Sequence, residues 1–357
     1  MKRIILLMAL ALACLSVNAK SATKGPVFKE DGTLKILQLT DTHIRTFNTE
    51  EADAVYARID HMVKAEQPDL IVLTGDIVLV KPAAPEWERL VNTLDSYKIP
   101  WCVMFGNHDA EQDLTRPEMS AIITKGKYTM NTLDESGELA DVEIAVKSAK
   151  TGENAFYVFC MDSHDYSYIN GERYYAWFTP GQVQWLRDCC KARTEADGKV
   201  APSMAFFHIP LREYIDAWAC EEDPREEALS NGQTIGIRSE KICAGALNSG
   251  MFSAMVETGS VIGVSVGHDH SNDFSAAYHK ILLSYGRFSG NNTTYNDLPH
   301  GAKIFRFFEG SRNIESWVRE DDDRIMSHFY YNGERIIKAK RNSALPYGVW
   351  NDIDIQK

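Results

Sequence analysis

The N-terminal third of the sequence alternates short apolar runs with amphipathic stretches. Leu34–Thr40, Asp69–Thr74 and Trp101–Phe105 are apolar runs of strand length, and polar residues follow each of them. Between these runs, apolar residues recur at helical spacing in Glu50–Gln67 and Glu86–Tyr97. The order strand, helix, strand, helix, strand predicts βαβ units and a mainly parallel sheet.

The rest of the chain predicts a second sheet. Apolar or alternating runs predict strands at Val142–Lys147, Ala155–Met161, Ser203–Phe207 and Val261–Val266, and a helix at Pro180–Ala192. The runs at 281–285, 302–308 and 314–318 are expected to be antiparallel strands that close this second sheet. Residues 212–250 are polar and rich in glycine, which is typical of a long excursion, and together with residues 110–140 we expect them to form the rim of a binding site.

Polar side chains stand at the carboxyl ends of five predicted strands. They occur as Asp41-x-His43, Gly75-Asp76, Gly106-Asn107-His108-Asp109, His208 and Gly267-His268-x-His270. Taken alone, an aspartate after a strand is commonly a turn former, and a lone histidine is commonly a surface or core residue. Ligands of open α/β sheets, however, bind at the carboxyl ends of the strands. The repetition of the pattern therefore predicts one site with carboxylate, imidazole and amide donors.

This series of motifs resembles the calcineurin-like metallophosphoesterases. The continuation of GHDH into Asn272-Asp273, and the segment Tyr285-Gly286-Arg287, resemble the purple-acid-phosphatase-like branch of that family. The resemblance implies an α/β fold, a four-layer αββα sandwich with two mixed sheets flanked by helices. It places the domain at residues 34–320 and leaves residues 321–357 as a C-terminal extension, in which YYNGERI either adds a hairpin or wraps the surface.

The resemblance also implies a pair of metal ions. The first would be bound by Asp41, His43 and His270, the second by Asn107, His208 and His268, and Asp76 would bridge them. Mixed nitrogen and oxygen donors suit Fe, Mn, Zn, Ni or Co rather than Ca, and a bridging carboxylate holds two such divalent or trivalent ions together. The expected activity is hydrolysis of phosphate esters, monoesters preferred, by a hydroxide that the metals generate from water.

Other residues are candidates for substrate contacts. By resemblance, His108 points at the phosphate and the leaving-group oxygen as a clamp or general acid. Asp109 would either orient His108 or cap a helix. His164 would either line the pocket or lie in a solvated loop, and Arg287 would either hold a phosphate oxygen or form a surface ion pair.

One position departs from the purple acid phosphatases. In those enzymes a tyrosine three residues after the bridging aspartate binds ferric iron, and here that position is Leu79. His43 would supply the missing ligand, so a purple, tyrosinate-bound centre is not expected. Leu79-Val80-Lys81 also lacks the Asp-Arg-Gly of serine/threonine protein phosphatases, which disfavours that activity.

Composition narrows the class of substrate. The 357 residues include 50 acidic and 38 basic side chains, for a net charge of −12, and no basic stripe, so a nucleic-acid partner is not expected. Metal cations would make the pocket locally positive and able to bind a small phosphorylated substrate. Phosphodiester or nucleotide hydrolysis at the same site, and a non-catalytic metal-binding scaffold, stay as alternatives. The pattern specifies no oligomeric state.

The N-terminus predicts export. Lys2 and Arg3 precede an apolar run that ends before Val17-Asn18-Ala19, a pattern typical of a signal peptide over residues 1–19. The run is too short for a comfortable transmembrane helix, and no later stretch is long enough. The expected location is periplasmic or extracellular, with lipidation at Cys14 as a variant. Cys102 and Cys160 are expected to be buried thiols, whereas Cys189, Cys190, Cys220 and Cys243 are candidates for disulfides.

Overall fold

The computed structural model describes residues 25–45, 50–222, 234–291 and 296–339. Its helices are α1 (Glu50–Glu66), α2 (Ala84–Ser96), α3 (Arg116–Ile123), α4 (Pro180–Asp197), α5 (Glu213–Glu222) and α6 (Met251–Thr258), with a 3₁₀ turn at Asp109–Glu111. Its strands are β1 (Thr33–Leu39), β2 (Leu70–Thr74), β3 (Trp101–Met104), β4 (Val142–Lys147), β5 (Asn154–Cys160), β6 (Tyr166–Ile169), β7 (Glu172–Tyr175), β8 (Ser203–Phe206), β9 (Thr234–Ile235), β10 (Val261–Val266), β11 (Ser275–Tyr278), β12 (Ile281–Tyr285), β13 (Gly301–Phe308), β14 (Ile314–Glu320), β15 (Ile325–Tyr331) and β16 (Ile336–Lys338).

The first sheet joins a parallel half to an antiparallel half. Its order is β16-β15-β14-β13-β1-β2-β3, and β1, β2 and β3 run parallel because helices α1 and α2 connect them. All five residues of β2 are buried, as expected for a strand covered on both faces. The other four strands form an antiparallel meander, and β13 joins this meander to the parallel half by pairing with β1.

The second sheet has the order β4-β5-β8-β10-β12-β11-β9. Its central strands β5, β8, β10 and β12 are parallel, and antiparallel strands flank them on both sides. Strands β6 and β7 pair only with each other and form a two-stranded hairpin outside both large sheets.

Three apolar clusters separate four layers. One lies between the outer face of the first sheet and α1, α2 and α3, and includes Leu37 and Trp87. The second fills the space between the two sheets, with Val72 and Phe206 among its members. The third lies between the second sheet and α4, α5 and α6, and includes Val264. The arrangement confirms the predicted αββα sandwich of two mixed sheets.

The predicted placement of the last strands was wrong. Residues 302–308 and 314–318 are antiparallel strands as expected, but they belong to the first sheet, where Phe305 of β13 pairs with Ile36 of β1. Ile281–Tyr285 does lie in the second sheet, yet it runs parallel to β10. An apolar pattern reports which strands are buried and leaves open which sheet they join.

The first sheet continues past residue 320. Strand β15 pairs with β14, and β16 pairs with β15, so the segment assigned to the C-terminal extension contributes the hairpin that was one of its two alternatives. Phe329 and Tyr331 of β15 are fully buried in the cluster between the sheets. Within the described chain, residues 321–339 are thus part of the sandwich.

Glu66 connects the end of α1 to both halves of the first sheet. Its carboxylate accepts hydrogen bonds from Lys35 Nζ at 3.1 Å, from Trp317 Nε1 at 3.0 Å and from Arg319 Nε at 2.6 Å. Burial opposes ionisation, but the attraction of Lys35 and the hydrogen bonds outweigh it and lower the pKa of Glu66. A single buried carboxylate therefore joins α1, β1 and β14.

The described cysteines are free thiols. Cys102 and Cys160 are buried, as predicted, while Cys189, Cys190 and Cys243 are unpaired rather than joined in disulfides. The side chain of Cys220, the signal peptide and Cys14 lie outside the described residues. None of the helices that the structure describes combines the length and apolar character needed to cross a lipid bilayer.

Candidate metal centre

The carboxyl ends of strands from both sheets meet at one edge of the sandwich. Asp41 and Asp76 follow β1 and β2 of the first sheet, and Asn107 follows β3. His208 and His268 follow β8 and β10 of the second sheet. Because these strands are parallel within each sheet, their polar ends are brought to the same edge.

Asp41, His43 and His270 form one buried cluster. Their donor atoms all lie within 4.8 Å of one another. His270 Nε2 is 3.4 Å from Asp41 Oδ1, and the rings of His43 and His270 are 4.7 Å apart between centroids. One carboxylate and two imidazoles therefore face a common point.

Asp76, His208 and His268 form a second buried cluster, also with donor atoms within 4.8 Å of one another. His208 Nε2 lies 3.2 Å from Asp76 Oδ2 and 3.1 Å from Asn107 Oδ1. The same Asp76 oxygen is 3.8 Å from His43 Nε2 of the first cluster. Asp76 thus stands between the two clusters, and the structure contains two potential metal-binding sites.

The donor set fits cations because several buried ring nitrogens have no protein partner. Both nitrogens of His43 and Nε2 of His268 are buried without a hydrogen bond. A buried polar atom without a partner costs free energy comparable to a lost hydrogen bond, and a cation at the centre of each cluster would remove that cost. Six of the seven residues that the resemblance assigned to two metals thus lie in clusters that could each hold a metal ion.

The electrostatics of the two clusters favour added positive charge. Burial lowers the pKa of His43 to about 4, and burial together with His208 lowers that of His268 to about 3, so both rings are neutral, the form that binds metals. Burial also disfavours charge on His208, yet Asp76 outweighs it and raises the pKa of His208 to about 10. A cation beside Asp76 would take the place of the proton that this carboxylate favours on His208.

The pKa values of both aspartates lie below their ordinary range. Burial raises the pKa of Asp76, but the charge and hydrogen bond of His208 more than reverse this effect. For Asp41, burial is likewise outweighed, mainly by a hydrogen bond from His270. Both carboxylates are ionised near neutral pH and available as ligands.

The backbone is strained where the ligands project. Asp41, His43, Asp76 and His268 all have positive φ, at 52°, 43°, 52° and 79°. A non-glycine residue in this region costs roughly 1–3 kcal/mol and persists only where surrounding contacts enforce it. Four of the seven predicted ligands have this strained conformation. The strain indicates that the orientation of these side chains is maintained at a cost in local stability.

Asp109 fixes two of the strand-end loops instead of orienting His108. Its Oδ2 accepts hydrogen bonds from the backbone N–H groups of Asp76 at 2.9 Å and Gly106 at 2.7 Å, and its Oδ1 accepts one from Ile77 at 2.7 Å. It caps no helix by its side chain either. Both expectations for Asp109 were wrong, because its carboxylate is buried under the loops that follow β2 and β3.

Glu111 is the partner of His108 that the sequence analysis missed. Glu111 Oε2 lies 2.7 Å from His108 Nδ1, and the His108 side chain is 38% exposed. The His108 ring is 6.1 Å from that of His43 between centroids, and its backbone N–H donates to Asp76 Oδ1 at 2.8 Å. His108 therefore stands at the entrance of the clusters, as expected for a residue that contacts a ligand from solvent.

Arg287 is not positioned to bind substrate. Its side chain is only 1% exposed, and its guanidinium donates to Asp273 Oδ2 at 2.6 Å and to the carbonyl oxygen of Pro299 at 2.8 Å. Glu320 lies 3.3 Å from the same side chain. The prediction of a phosphate-binding arginine was wrong, because the side chain is buried and its two Nη groups bind Asp273 and Pro299. The alternative of a surface pair was wrong because this pair is buried.

His164 contacts the start of α4. Its Nε2 lies 2.9 Å from Gln182 Oε1, and Gln182 belongs to the capping box that Thr179 forms at this helix. Its backbone N–H donates to Asp162 Oδ1 at 2.8 Å. These local contacts explain His164 as part of a helix start, and its predicted role at the substrate has no support from them.

Two tyrosines of the β6–β7 hairpin contact the predicted ligands, and the sequence analysis missed them. Asn107 Nδ2 donates to the hydroxyl of Tyr166 at 2.9 Å, and the ring of Tyr175 packs edge-on against His268 at 4.3 Å. The hairpin had a sequence signal in Asn170-Gly171, where both residues have positive φ, as a type I′ turn requires. Reading that dipeptide as a turn would have predicted the hairpin, although not its position beside the site.

Comparison with known proteins decides the family. The family model described as Calcineurin-like phosphoesterase matches residues 34–272. The chain belongs to the calcineurin-like phosphoesterase family. Its predicted ligands from both sheets lie inside the matched segment, so the centre described above belongs to the phosphoesterase domain.

Relatives within this family carry phosphatase names. The chain is 28% identical over 342 residues to the protein named probable inactive purple acid phosphatase 28 of Arabidopsis thaliana, with 84% of this chain and 83% of that protein covered. It is also 28% identical over 323 residues to phosphatase DCR2 of Saccharomyces cerevisiae, with 81% and 54% covered. These names agree with the purple-acid-phosphatase-like branch indicated by the motifs.

A solved structure supports the phosphoesterase fold. A dimetal phosphatase from Danio rerio superposes with a TM-score of 0.55 at 12% identity, over 83% of this chain and 96% of that one. At this identity the likeness concerns the fold alone. It matches the four-layer sandwich seen here.

Proposed function

We propose that this chain is a metal-dependent hydrolase of phosphate esters, with a preference for monoesters. The observation that carries the proposal is the convergence of four buried imidazoles on two ionised carboxylates, with ring nitrogens of His43 and His268 left without a hydrogen bond. A structural role does not explain why a fold would bury His43 and His268 with unsatisfied nitrogens in strained backbone.

The proposed ligands divide as the two clusters do. Asp41, His43 and His270 would hold one ion, and His208, His268 and Asn107 the other, with Asp76 between them. Two cations held there would neutralise a phosphoryl group and make a nearby water molecule more acidic. The donors suit Fe, Mn, Zn, Ni or Co.

The protein's own groups supply orientation and a proton. The contact between Thr74 O and His208 Nδ1, at 2.7 Å, fixes the tautomer that presents Nε2 to the site. Glu111 likewise binds Nδ1 of His108, which leaves Nε2 to donate a hydrogen bond or a proton to the leaving-group oxygen. Asp109 would act indirectly, by holding Asp76 in place through the backbone.

The test is a substrate panel on the purified protein supplied separately with each of these metals. We expect release of product from p-nitrophenyl phosphate to exceed release from bis-p-nitrophenyl phosphate. The reverse ranking would favour the alternative of a phosphodiesterase, and faster turnover of nucleotides would favour a nucleotide hydrolase.

A second candidate is a metal-binding scaffold without catalytic activity. The plant relatives named probable inactive purple acid phosphatases favour it. Metal uptake without release of phosphate from any ester in the panel would select this candidate and overturn the first.

We also propose that residues 1–19 direct export. The support is the charged start and the apolar run of the sequence. Mass spectrometry of the mature protein tests it: a new N-terminus at Lys20 supports cleavage, a lipid on Cys14 supports the lipoprotein variant, and an intact Met1 in an envelope fraction contradicts both.

A further inference from the structure

A cleft of about 450 Å³ opens beside the metal centre, between the β6–β7 hairpin and the segment 241–246. We call it the hairpin cleft. Two of its lining residues contact proposed ligands: Tyr166 accepts the hydrogen bond of Asn107, and Tyr175 packs on His268. A third, Cys243, donates its backbone N–H to Oδ2 of Asp269, the residue between His268 and His270, at 3.1 Å. The cleft and the centre therefore share a wall.

The hairpin cleft carries positive charge in an acidic protein. Arg173, Arg212 and Lys241 line it and are exposed, and no acidic side chain is among its described lining residues. Three such cations stand out in a chain with a net charge of −12.

Two of the cations are held in place by neutral groups. The guanidinium of Arg173 lies 4.2 Å above the ring of Tyr166, and Arg212 Nη1 is 3.4 Å from the carbonyl oxygens of Gly245 and Ala246. Neither contact neutralises the charge. A pair of oriented guanidinium groups with donors to spare is a common arrangement for binding phosphate.

Solvation of ordinary surface cations is the competing explanation. It accounts for any one of these residues, since exposed arginine and lysine side chains are common on protein surfaces. It does not account for their convergence in a concave site whose wall includes two residues that touch proposed metal ligands.

We propose that the hairpin cleft binds a second phosphate group of the substrate. The inference rests on the proposed function: the phosphate at the metal centre is the one transferred, so the second must belong to the alcohol that leaves. The substrate class is then a small organic molecule that carries at least two phosphate groups, recognised by Arg173, Arg212 and Lys241.

A matched pair of substrates tests this specificity. AMP and adenosine 3′,5′-bisphosphate differ by one phosphate, and we expect the wild-type protein to have the higher kcat/KM for the bisphosphate. In the double variant Arg212→Met, Lys241→Met, the ratio of the two kcat/KM values should fall by roughly tenfold or more, as loss of two cations near an anion predicts. Added salt should reduce the wild-type ratio in the same direction.

The control is Lys150→Met. Lys150 is equally exposed, but it lies in the turn before β5, at the opposite edge of the second sheet from the metal centre. We expect its ratio to equal that of the wild type. If the ratio of the two kcat/KM values in the double variant stays within twofold of the wild-type ratio, the inference is overturned.

Calorimetric binding separates this inference from the proposed function. Titration of the metal-free protein with each nucleotide should show tighter binding of the bisphosphate, and the double variant should lose that difference. If no metal supports turnover but the binding difference is present, the proposed function fails and the second phosphate site stands. If turnover is present and the two nucleotides bind alike, the inference fails and the proposed function stands.

Discussion

Asp76 is the carboxylate that faces both clusters, within 3.2 Å of His208 and 3.8 Å of His43. We expect Asp76→Asn to abolish turnover and to lower metal content, because an amide supplies no negative charge between two cations. Elemental analysis and phosphate release measure the two effects. Asp134→Asn is the control, since Asp134 lies in an exposed turn; full activity in Asp76→Asn would defeat the assignment.

His108 is expected to act on the substrate without binding metal. His108→Ala should keep its metal content and lose rate by roughly 10²–10⁴, the usual contribution of general acid catalysis. Glu111→Gln should give a smaller loss, because it weakens only the contact at Nδ1. The exposed His61 provides a control substitution to Ala. Metal loss in His108→Ala would instead identify a structural residue.

The identity of the predicted ligands could be read from sequence, but several supporting contacts could not. Asp41 and Asp76 could be predicted as strand-end residues because an apolar run stops just before each of them. Asp109 and Arg287 occupy similar positions in the pattern, and only the fold shows that one bonds to backbone N–H groups and the other to Asp273. A hydrogen bond between residues distant in sequence leaves no mark on local periodicity.

Asp109 joins the loops after β2 and β3. Its loss should therefore reduce both the stability of the fold and its affinity for metal. Asp109→Asn replaces one acceptor oxygen by an N–H₂ group that would face backbone donors. We expect the free energy of unfolding to fall by about 1–3 kcal/mol, the cost of unsatisfied buried donors, and metal affinity to fall with it. Denaturant unfolding and metal titration measure both. Asp113→Asn is the control, because the Asp113 carboxylate accepts one backbone N–H, that of Ala83. Equal losses of stability in the two variants would contradict the role of Asp109.

The contact of Glu66 with β1 and β14 predicts a pH dependence of stability. The pKa of Glu66 is lower in the fold than its ordinary value of 4.5, so its stabilising contribution is complete above pH 4.5 and is lost as pH falls through the folded-state value. Glu66→Gln should therefore cost about 3 kcal/mol at neutral pH and progressively less in acid. Unfolding curves at several pH values give this difference, with Glu88→Gln, an exposed site on α2, as control. A cost that does not vary with pH would exclude the charge as its cause.

At the level of elements, buried strands were easier to predict than exposed ones. Strands β2 and β3 are almost wholly apolar and β1 is mostly apolar, whereas Tyr166–Ile169 and Glu172–Tyr175 mix polar and aromatic residues and are partly exposed. The hairpin that they form escaped detection for that reason, although it supplies two contacts to the centre. Elements that border a binding site are hard to predict from the hydrophobic pattern of the sequence when they bury little apolar surface.

The whole sandwich depends on strands that follow residue 320. A chain ending at Glu320 loses Phe329 and Tyr331 from the cluster between the sheets, each a large aromatic burial. We expect this truncated chain to lack cooperative unfolding, whereas a chain ending at Ala339 keeps every described strand and should retain it. Thermal melts followed by circular dichroism compare the two. A cooperative melt of the shorter chain would support a domain boundary at residue 320.

Which sheet each late strand joins is a property of the whole molecule. β13 and β14 return to the first sheet after the chain has built the second, with β13 pairing with β1 more than 250 residues earlier. Local pattern specifies neither this return nor its register, since both depend on which edge of a finished sheet is open. The order of elements predicted βαβ units, and the resemblance of the motifs supplied the four-layer sandwich, so the fold class was correct although the sheet of the late strands was not.

The centre draws its donors from both sheets, from Asp41 near the start of the fold to His270 near its end. No fragment of the chain assembles either cluster before the two sheets have packed, because each cluster needs one residue from the first sheet and one from the second. A chain that crosses a membrane unfolded would thus arrive without its ions and acquire them where it folds. Since similar donors bind several transition metals, the local supply in that compartment, as much as intrinsic affinity, would select the metal in the mature protein.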